Sequence, residues 1–350
     1  MKVFGGVGPL FLGIGNEGDR LPKLLFEMLD LTPIQPILWK DLHQKGPGRP
    51  VKYDPESDLR ALMLRQLEQI PYVKDLVKRL RRNLYLRLIC GYGEEVPTEA
   101  HFSQMKQRLG KTGFKAIERF LRHEAIRLMV TDPLLAVGLV HASAVDGTDL
   151  PAWSSRDSHD TRRGHGDPEA RLGRGPKGFY LGYRSLFLVD MEGFPLGHVE
   201  ASANRNEKML VESLLDEVLG EDFEVELVVG DSQFESQQVF AALEEKKISH
   251  LISWRRLKGR VNPPGVLTVK DRIDVEGPEW KRVVYKRLRA MVEGYIGHVK
   301  TRLHYHQFTW QGLANASIHN SLTFSLVYAV AIAATKLGRP DLARSIAYFA

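Results

Sequence analysis

Residues 179–201, FYLGYRSLFLVDMEGFPLGHVEA, hold two runs rich in aromatic and β-branched residues, Phe179 to Asp190 and Pro195 to Ala201, joined by the turn Met191-Glu192-Gly193-Phe194. Such runs on either side of a short glycine-containing connection read as paired strands. Upstream, Ser143-Ala144-Val145 leads into Asp146, and Gly147-Thr148 follows, so a strand is expected to end at that acid. Downstream the period changes to a helix from about Asn206 to Leu219, a strand Val225 to Gly230, a helix from Ser236 to Lys246 and a strand His250 to Trp254. Three strands in meander order followed by alternating helix and strand make a mixed α/β domain.

The region before it is helical. Asp54 reads as an N-cap with Pro55 at the first helical position, and this helix runs to about Gln69. A second helix covers roughly Tyr72 to Ile89, with Leu76, Leu80, Leu84 and Leu88 as its packing stripe. A third begins near Thr98 and carries Phe102, Met105 and Leu109 at helical spacing, and a fourth spans about Gly113 to Met129. Two stretches read as irregular. Ser154 to Gly178, rich in Arg, Gly, Asp and Ser, is expected to be a mobile loop. Arg255 to Pro278 contains the run Arg255-Arg256-Leu257-Lys258-Gly259-Arg260, either a solvated loop or a nucleic-acid contact.

A chain of 350 residues is long enough for two domains at about 150 residues each, and 43% hydrophobic with 26% charged residues excludes a disordered or fibrous protein. The single cysteine, Cys90, excludes a disulfide framework and a cysteine-built zinc site, and fits a reducing compartment. The net charge of +6 admits a polyanionic partner. Leu322 to Ala334, the most apolar carboxy-terminal run, is shorter than the ~20 residues a membrane span needs and is interrupted by Thr323, Ser325 and Tyr328, so it reads as a buried helix. Met1 to Gly15 is broken by glycines and Pro9 and is followed by Asn16, Glu17 and Asp19, unlike a secretory signal. No membrane association and a cytoplasmic, nucleoid-associated location are the expectations.

Three carboxylates stand where metal chemistry needs them. Asp146 and Asp231 each follow an apolar strand, and Glu293 lies on a later long helix. An Asp after a strand is ordinarily a turn residue. Two such acids on neighbouring strands, with a glutamate from a packed helix, have the oxygen-only donor set that holds two divalent ions about 4 Å apart for in-line phosphoryl transfer. On the helix, Lys286, Arg289, Glu293 and Lys300 fall within about 60° of one another at ~100° per residue, opposite Leu288, Val292, Tyr295, Val299 and Leu303. Arg289 with Glu293 is an i,i+4 ion pair in the simplest case. A metal-binding acid flanked by cations also suits a bound DNA phosphate. His298, His304, His306 and His319 lack the spacing of a zinc site, and Trp310 reads as a core residue or a base-stacking one.

Arg289-x3-Glu293-x6-Lys300 resembles the R-E-K part of the Y-R-E-K signature of cut-and-paste insertion-sequence transposases of the DDE class. Further matches follow in order: Val145-Asp146-Gly147-Thr148, Gly182-Tyr183 leading to Asp190, Ala201-Ser202-Ala203-Asn204, and Gly230-Asp231-Ser232-Gln233-Phe234. The helical region is similar to that family's amino-terminal domain at Gly48-Arg49-Pro50, Leu62-Met63-Leu64 and Cys90-Gly91-Tyr92, so the resemblance covers about residues 45 to 335. Two positions depart from it. Lys286 stands where the signature tyrosine belongs, with Tyr285 one place earlier, and Glu207 stands where the family often has aspartate.

The resemblance implies a ribonuclease H-like catalytic domain with a mixed sheet, preceded by an all-helical amino-terminal domain. It divides the chain into an irregular segment 1–45, a DNA-binding domain 46–135, a catalytic domain 136–335 and a tail 336–350. It implies that Asp146, Asp231 and Glu293 bind two Mg2+ or Mn2+ ions, that Arg289 and Lys300 hold phosphates, and that the enzyme cuts at the transposon end and joins the freed 3′-OH to target DNA. Double-stranded DNA, as terminal inverted repeats and as target, is the implied partner, bound by a homodimer. End recognition would fall to the helical domain, whose second helix carries Lys74, Lys78, Arg79, Arg81, Arg82 and Arg87 against Asp75 alone. Lys78, Arg81 and Arg82 are the expected backbone contacts, and a helical dimerisation module with a solvated basic face is the other reading. An aspartyl phosphatase is excluded because Ala144 occupies the nucleophile position of its D-x-D-G-T loop. A transposase-derived DNA-binding protein that no longer cuts is the alternative function.

Overall fold

The computed structural model describes residues 20–40, 42, 51–130, 142–176, 178–220, 224–253 and 279–350. Gly48-Arg49-Pro50, the Met1 to Gly15 stretch and the Arg255 to Arg260 run lie outside the described residues. The chain divides into two compact units, Met1–Ala125 with Ser325–Ala350, and Ile126–Phe324.

The first unit is helical: α1 (Arg20–Met28), α2 (Gln35–Leu38), α3 (Pro55–Leu67), α4 (Val73–Arg82), α5 (Leu84–Ile89) and the start of α6 (Glu99–Val130). Asp54 caps α3 as expected, accepting a hydrogen bond from Glu56 N at 3.2 Å. The helix stops two residues early because Gln69 is left-handed (φ 56°), which lets Ile70 N donate back to Arg65 O at 2.8 Å. The expected single helix from Tyr72 to Ile89 is two helices. Asn83 is extended (φ −115°, ψ 100°) and its side chain accepts from Leu86 N at 3.0 Å, so it starts α5 instead of continuing α4. The break turns the expected packing stripe: Leu76 and Leu80 are buried, while Leu84 and Leu88 are exposed. Asn83→Ala is expected to cost about 1 kcal/mol, the usual worth of an N-cap, read as a lower midpoint in urea unfolding. In α6 the expected two helices meet at a kink at Gly110 (φ 58°, ψ −177°), and Phe102, Met105 and Leu109 are all buried. Cys90 is fully buried, which pushes its thiol pKa up, and neighbouring Tyr92 donates its hydroxyl to Asp58 at 2.7 Å.

The second unit is built on one mixed sheet of β1 (Ala142–Pro151), β2 (Arg171–Gly175), β3 (Gly178–Asp190), β4 (Pro195–Ser202), β5 (Leu227–Gly230) and β6 (Ser249–Ile252). β3 is antiparallel to β1, β2 and β4, whereas β1, β5 and β6 run parallel. Reading across, β4, β3, β1, β5 and β6 give the ribonuclease H-like order, with β2 added along β3 beyond the end of β4. At the β3–β4 turn, buried Asp190 accepts from Glu192 N and Phe194 N at 2.9 and 2.8 Å.

Side chains alternate across this sheet. Val145, Leu186 and Leu188 enter a core with Leu214, Val218 and Leu243 of α7 (Val211–Leu219) and α8 (Gln237–Glu245). The other face carries Phe187, whose ring meets Tyr295 of α9 (Glu279–Arg302) and Phe324 of α10 (Leu313–Lys336) edge-on or tilted. α9 buries Leu288, Val292, Tyr295 and Val299, the stripe expected of it. A last short helix, α11 (Ile346–Phe349), closes the chain in the first unit. α10 is long and apolar enough to cross a membrane, but its most apolar window is 94% buried inside the protein.

Two further expectations are corrected in the second unit. The first strand does not end at Asp146: Gly147 to Pro151 continue β1, paired one by one with Leu186 back to Gly182. The stretch expected to be a mobile loop, Ser154 to Gly178, has regular structure among its described residues. It contains β2, the bridges Arg156↔Gly164 and Arg163↔Arg171, and a buried Asp157 that accepts from His159 N and Asp160 N.

Candidate active site

β1 and β5 pair in parallel with Ala144 opposite Val229, so the same register two residues on sets Asp146 beside Asp231. β5 stops there. Asp231 turns the chain into a short 3-10 helix, its carboxylate accepting from Gln233 N at 2.8 Å. Asp146 lies on the α9 side of the sheet, level with Phe187, and accepts from Gly147 N at 2.8 Å. Its other oxygen is 3.3 Å from Arg289 of α9, and Arg289 in turn donates to Glu293 at 2.7 Å. Arg289 is largely buried between the two acids, its side chain 14% exposed, whereas the Glu293 side chain is 61% exposed.

Burial raises the Asp146 pKa most, Asp231 and Glu293 raise it further, and Arg289 with the Gly147 N–H opposes them. Arg289 is held more basic than usual: burial disfavours its charge, and Asp146, Asp231 and Glu293 more than offset that. Both shifts report three acids against one guanidinium. Among the described residues no three His, Cys, Asp or Glu side chains close on a common point. Lys300, half-buried, follows Glu293 by two turns on the same side of α9, and Lys286 is exposed.

Tyr285 sits one turn before Arg289, and its hydroxyl hydrogen-bonds Ser253 just after β6. Tyr285 therefore ties α9 to the end of β6.

Sequence reasoning assigns no consequence to Glu207. It follows Asn206, which caps a 3-10 turn by accepting from Lys208 N, and it projects over Gly147 on the face opposite Asp146. A Cβ at Gly147 would stand 2.5 Å from its carboxyl carbon. The glycine of Asp-Gly-Thr thus makes room for a fourth carboxylate instead of ending a strand. Glu207 pairs with Arg184 at 3.2 Å, and its pKa is pushed up to about 7, by burial first, then by Asp146 and Asp231 against Arg184. The sequence signals for it are that it follows the Ala-Ser-Ala-Asn stretch and stands where the resembled family often has aspartate.

Ser321, His198 and Glu200 have the hydroxyl, imidazole and carboxylate order of a hydrolase, with His198 Nε2 3.1 Å from Ser321 Oγ and Nδ1 bonded to Glu200. Ser321 and His198 are fully buried, so the cluster is internal and offers no nucleophile to a substrate.

The Transposase DDE domain family matches residues 142–328, and the Transposase domain (DUF772) family matches residues 16–108. This chain belongs to the Transposase DDE domain family. No curated protein matches it in sequence. Among solved structures, a piggyBac transposase synaptic complex with hairpin DNA is 11% identical, with 93% of this chain and 79% of that chain covered and a TM-score of 0.48. A Mos1 transposase paired-end complex with the left transposon end is 12% identical, covering 75% and 83% with a TM-score of 0.21. A Mos1 mariner paired-end complex with Mn is 12% identical, covering 76% and 84% with a TM-score of 0.20.

DDE transposases in general use divalent metal. The donor chemistry of this transposase fits, because Asp146, Asp231 and Glu293 offer hard oxygens alone, as Mg2+ and Mn2+ require. Buried Arg289 Nη1 lacks an aligned hydrogen bond despite its 3.3 Å approach to Asp146, so this pair is imperfectly matched. The negative charge around it exceeds what one guanidinium neutralises.

Proposed function

We propose that the protein binds the ends of its insertion sequence and catalyses metal-dependent DNA strand cleavage and strand transfer. The adjacency of Asp146 and Asp231 at the end of the parallel β1–β5 pair, with Arg289 reaching from Asp146 to Glu293, is the observation that carries this reading. Asp146, Asp231 and Glu293 would hold two Mg2+ or Mn2+ ions, which supply Lewis-acid activation of the attacking oxygen and stabilisation of the leaving one. Arg289 and Lys300 would orient the scissile phosphate through charge-assisted hydrogen bonds. Tyr285 keeps the Arg289 turn of α9 against β6. Residues 46–135 would bind DNA and residues 136–335 would cut it, in a homodimer at paired ends and in the cytoplasm at the nucleoid. Cleavage of a terminal-repeat duplex that depends on Mg2+ tests the reading, and a protein that binds the repeat without cutting it would instead be the silent DNA-binding derivative.

For end binding, Lys74, Lys78, Arg81 and Arg82 are all exposed on α4. Lys78 lies 3.3 Å from Asp75 and Arg79 is held by Glu68 at 2.9 Å, while Arg81 and Arg82 form no ion pair among the described residues. Their charge is available to phosphate. Changing Arg81 and Arg82 to alanine is expected to lower the slope of log K against log salt by nearly two, since each phosphate contact releases about 0.9 counterion. A slope equal to wild type would make α4 a dimerisation element.

A further inference from the structure

Residues 152–176 contain five arginines and four acids, nearly balanced, yet the structure segregates them. Every acid is engaged within the second unit. Asp157 accepts from two backbone N–H groups and pairs with Arg163, Asp160 accepts from Arg162 N and faces Arg171 at 3.6 Å, Asp167 accepts from Tyr183 Oη at 2.6 Å and Gly312 N at 3.1 Å, and Glu169 accepts from Leu313 N at 2.9 Å. The remaining arginines, Arg156, Arg162 and Arg174, are exposed, and their guanidiniums form no ion pair among the described residues. The outer surface is therefore cationic where the composition is nearly neutral.

Its position is defined by the sheet register. Arg174 pairs with Phe179 on β3, and Asp146 pairs with Phe187 on the same strand. Phe179 and Phe187 are an even number of residues apart, so alternation puts Arg174 and Phe179 on the α9 side of the sheet, the side of Asp146. Phe308 and Tyr305 cover the intervening Tyr183 and Ser185, but Phe179 is 70% exposed beside Arg174. Arg162 O accepts from Leu172 N at 2.8 Å and Arg156 bridges Gly164, which builds the other two cations into the same ribbon. Arg184 anchors it, donating to Arg174 O at 2.7 Å while pairing with Glu207. Eight residues of β3 at about 3.3 Å each set Arg174 roughly 26 Å from the level of Asp146, which is about eight nucleotides at ~3.4 Å per nucleotide of one strand.

We propose that this ribbon is a second duplex-DNA grip, in which Arg156, Arg162 and Arg174 hold the phosphate backbone about eight base pairs from the scissile bond. It rests on the DNA-cleaving reading above and adds to it a surface outside the acids, α9 and α4. The occupant is duplex because duplex is the substrate of the reading above and its phosphate backbone complements three exposed cations that form no ion pair among the described residues, while exposed Phe179 adds apolar contact with sugar edges.

The test compares the full-length wild type with Arg156→Ala/Arg162→Ala/Arg174→Ala, by anisotropy of a labelled terminal-repeat duplex in EDTA across a salt series. The triple variant is expected to keep its melting temperature and to lose between two and three units of salt slope. Single Arg162→Ala and Arg174→Ala variants, each expected to lose about one unit, keep the test readable if the triple variant does not fold. Duplexes trimmed from either side of the cleavage position to about five base pairs complete it: trimming on one side should weaken wild type and leave the triple variant unaffected. Wild-type protein that binds duplex without any salt dependence overturns both this proposal and the reading beneath it. Normal wild-type binding and cleavage with an unchanged slope in the variants, or equal sensitivity of wild type and triple variant to trimming, overturns the ribbon alone.

Discussion

Asp146→Asn, Asp231→Asn and Glu293→Gln are each expected to reduce Mg2+-dependent strand cleavage by a thousandfold or more, about 4 kcal/mol of transition-state stabilisation, with end binding in EDTA unchanged. An amide keeps the shape of the acid and removes the charge that holds a divalent ion. Folding should not mask the effect. Burial already raises the Asp146 pKa, so its charge is a cost to the folded state, and the amide introduced by Asp146→Asn retains an oxygen for the Gly147 N–H. Asp231 caps a turn through one oxygen, a bond that an asparagine side chain also makes, and Glu293 is exposed. Melting temperatures within a few degrees of wild type, measured beside cleavage, are therefore expected. Near wild-type cleavage in any one variant would remove that residue from the site.

Local signals and pairing signals are not equally legible in the sequence. Asp54-Pro55 starting α3, the Met191 to Phe194 turn, Ser236 before α8 and the apolar stripe of α9 are set by residues close in sequence, and the structure bears each of them out. β1 runs past Asp146 although Gly-Thr-Asp looks like a turn, because its continuation depends on β3, more than thirty residues later. The ribbon hides for the same reason: Arg, Gly and Asp signal a loop, and only pairing with β3 and hydrogen bonds to Gly312 and Leu313 order it. Asn83 shows the limit of periodicity. Its neighbours keep a leucine repeat across the break, while the capping side chain decides where the axis turns. The three acids are legible as residue types in order. What Glu207 does is not, because its place over Gly147 is a tertiary fact with no spacing to announce it.

Arg289→Ala and Lys300→Ala are expected to cleave at least tenfold slower in single turnover, about 1.4 kcal/mol, and Arg289 permits a sharper test. In the structure it contacts Asp146 and Glu293 together, so two roles predict different outcomes. If it is only an ion-pair partner, its loss leaves Asp146 buried without a cation. The folded state then weakens near neutral pH and recovers as the pH falls, since the raised Asp146 pKa rises further and protonation removes the charge. Turnover per folded molecule would be unchanged. If it binds the scissile phosphate, removing it frees both carboxylates, so Mn2+ should bind the DNA-free protein as tightly as before or more tightly, followed by calorimetry, while cleavage still falls. Tighter metal binding with slower cleavage cannot come from a merely weakened fold. Weaker metal binding with unchanged cleavage per folded molecule would make this face of α9 structural and return the phosphate to Lys300 alone.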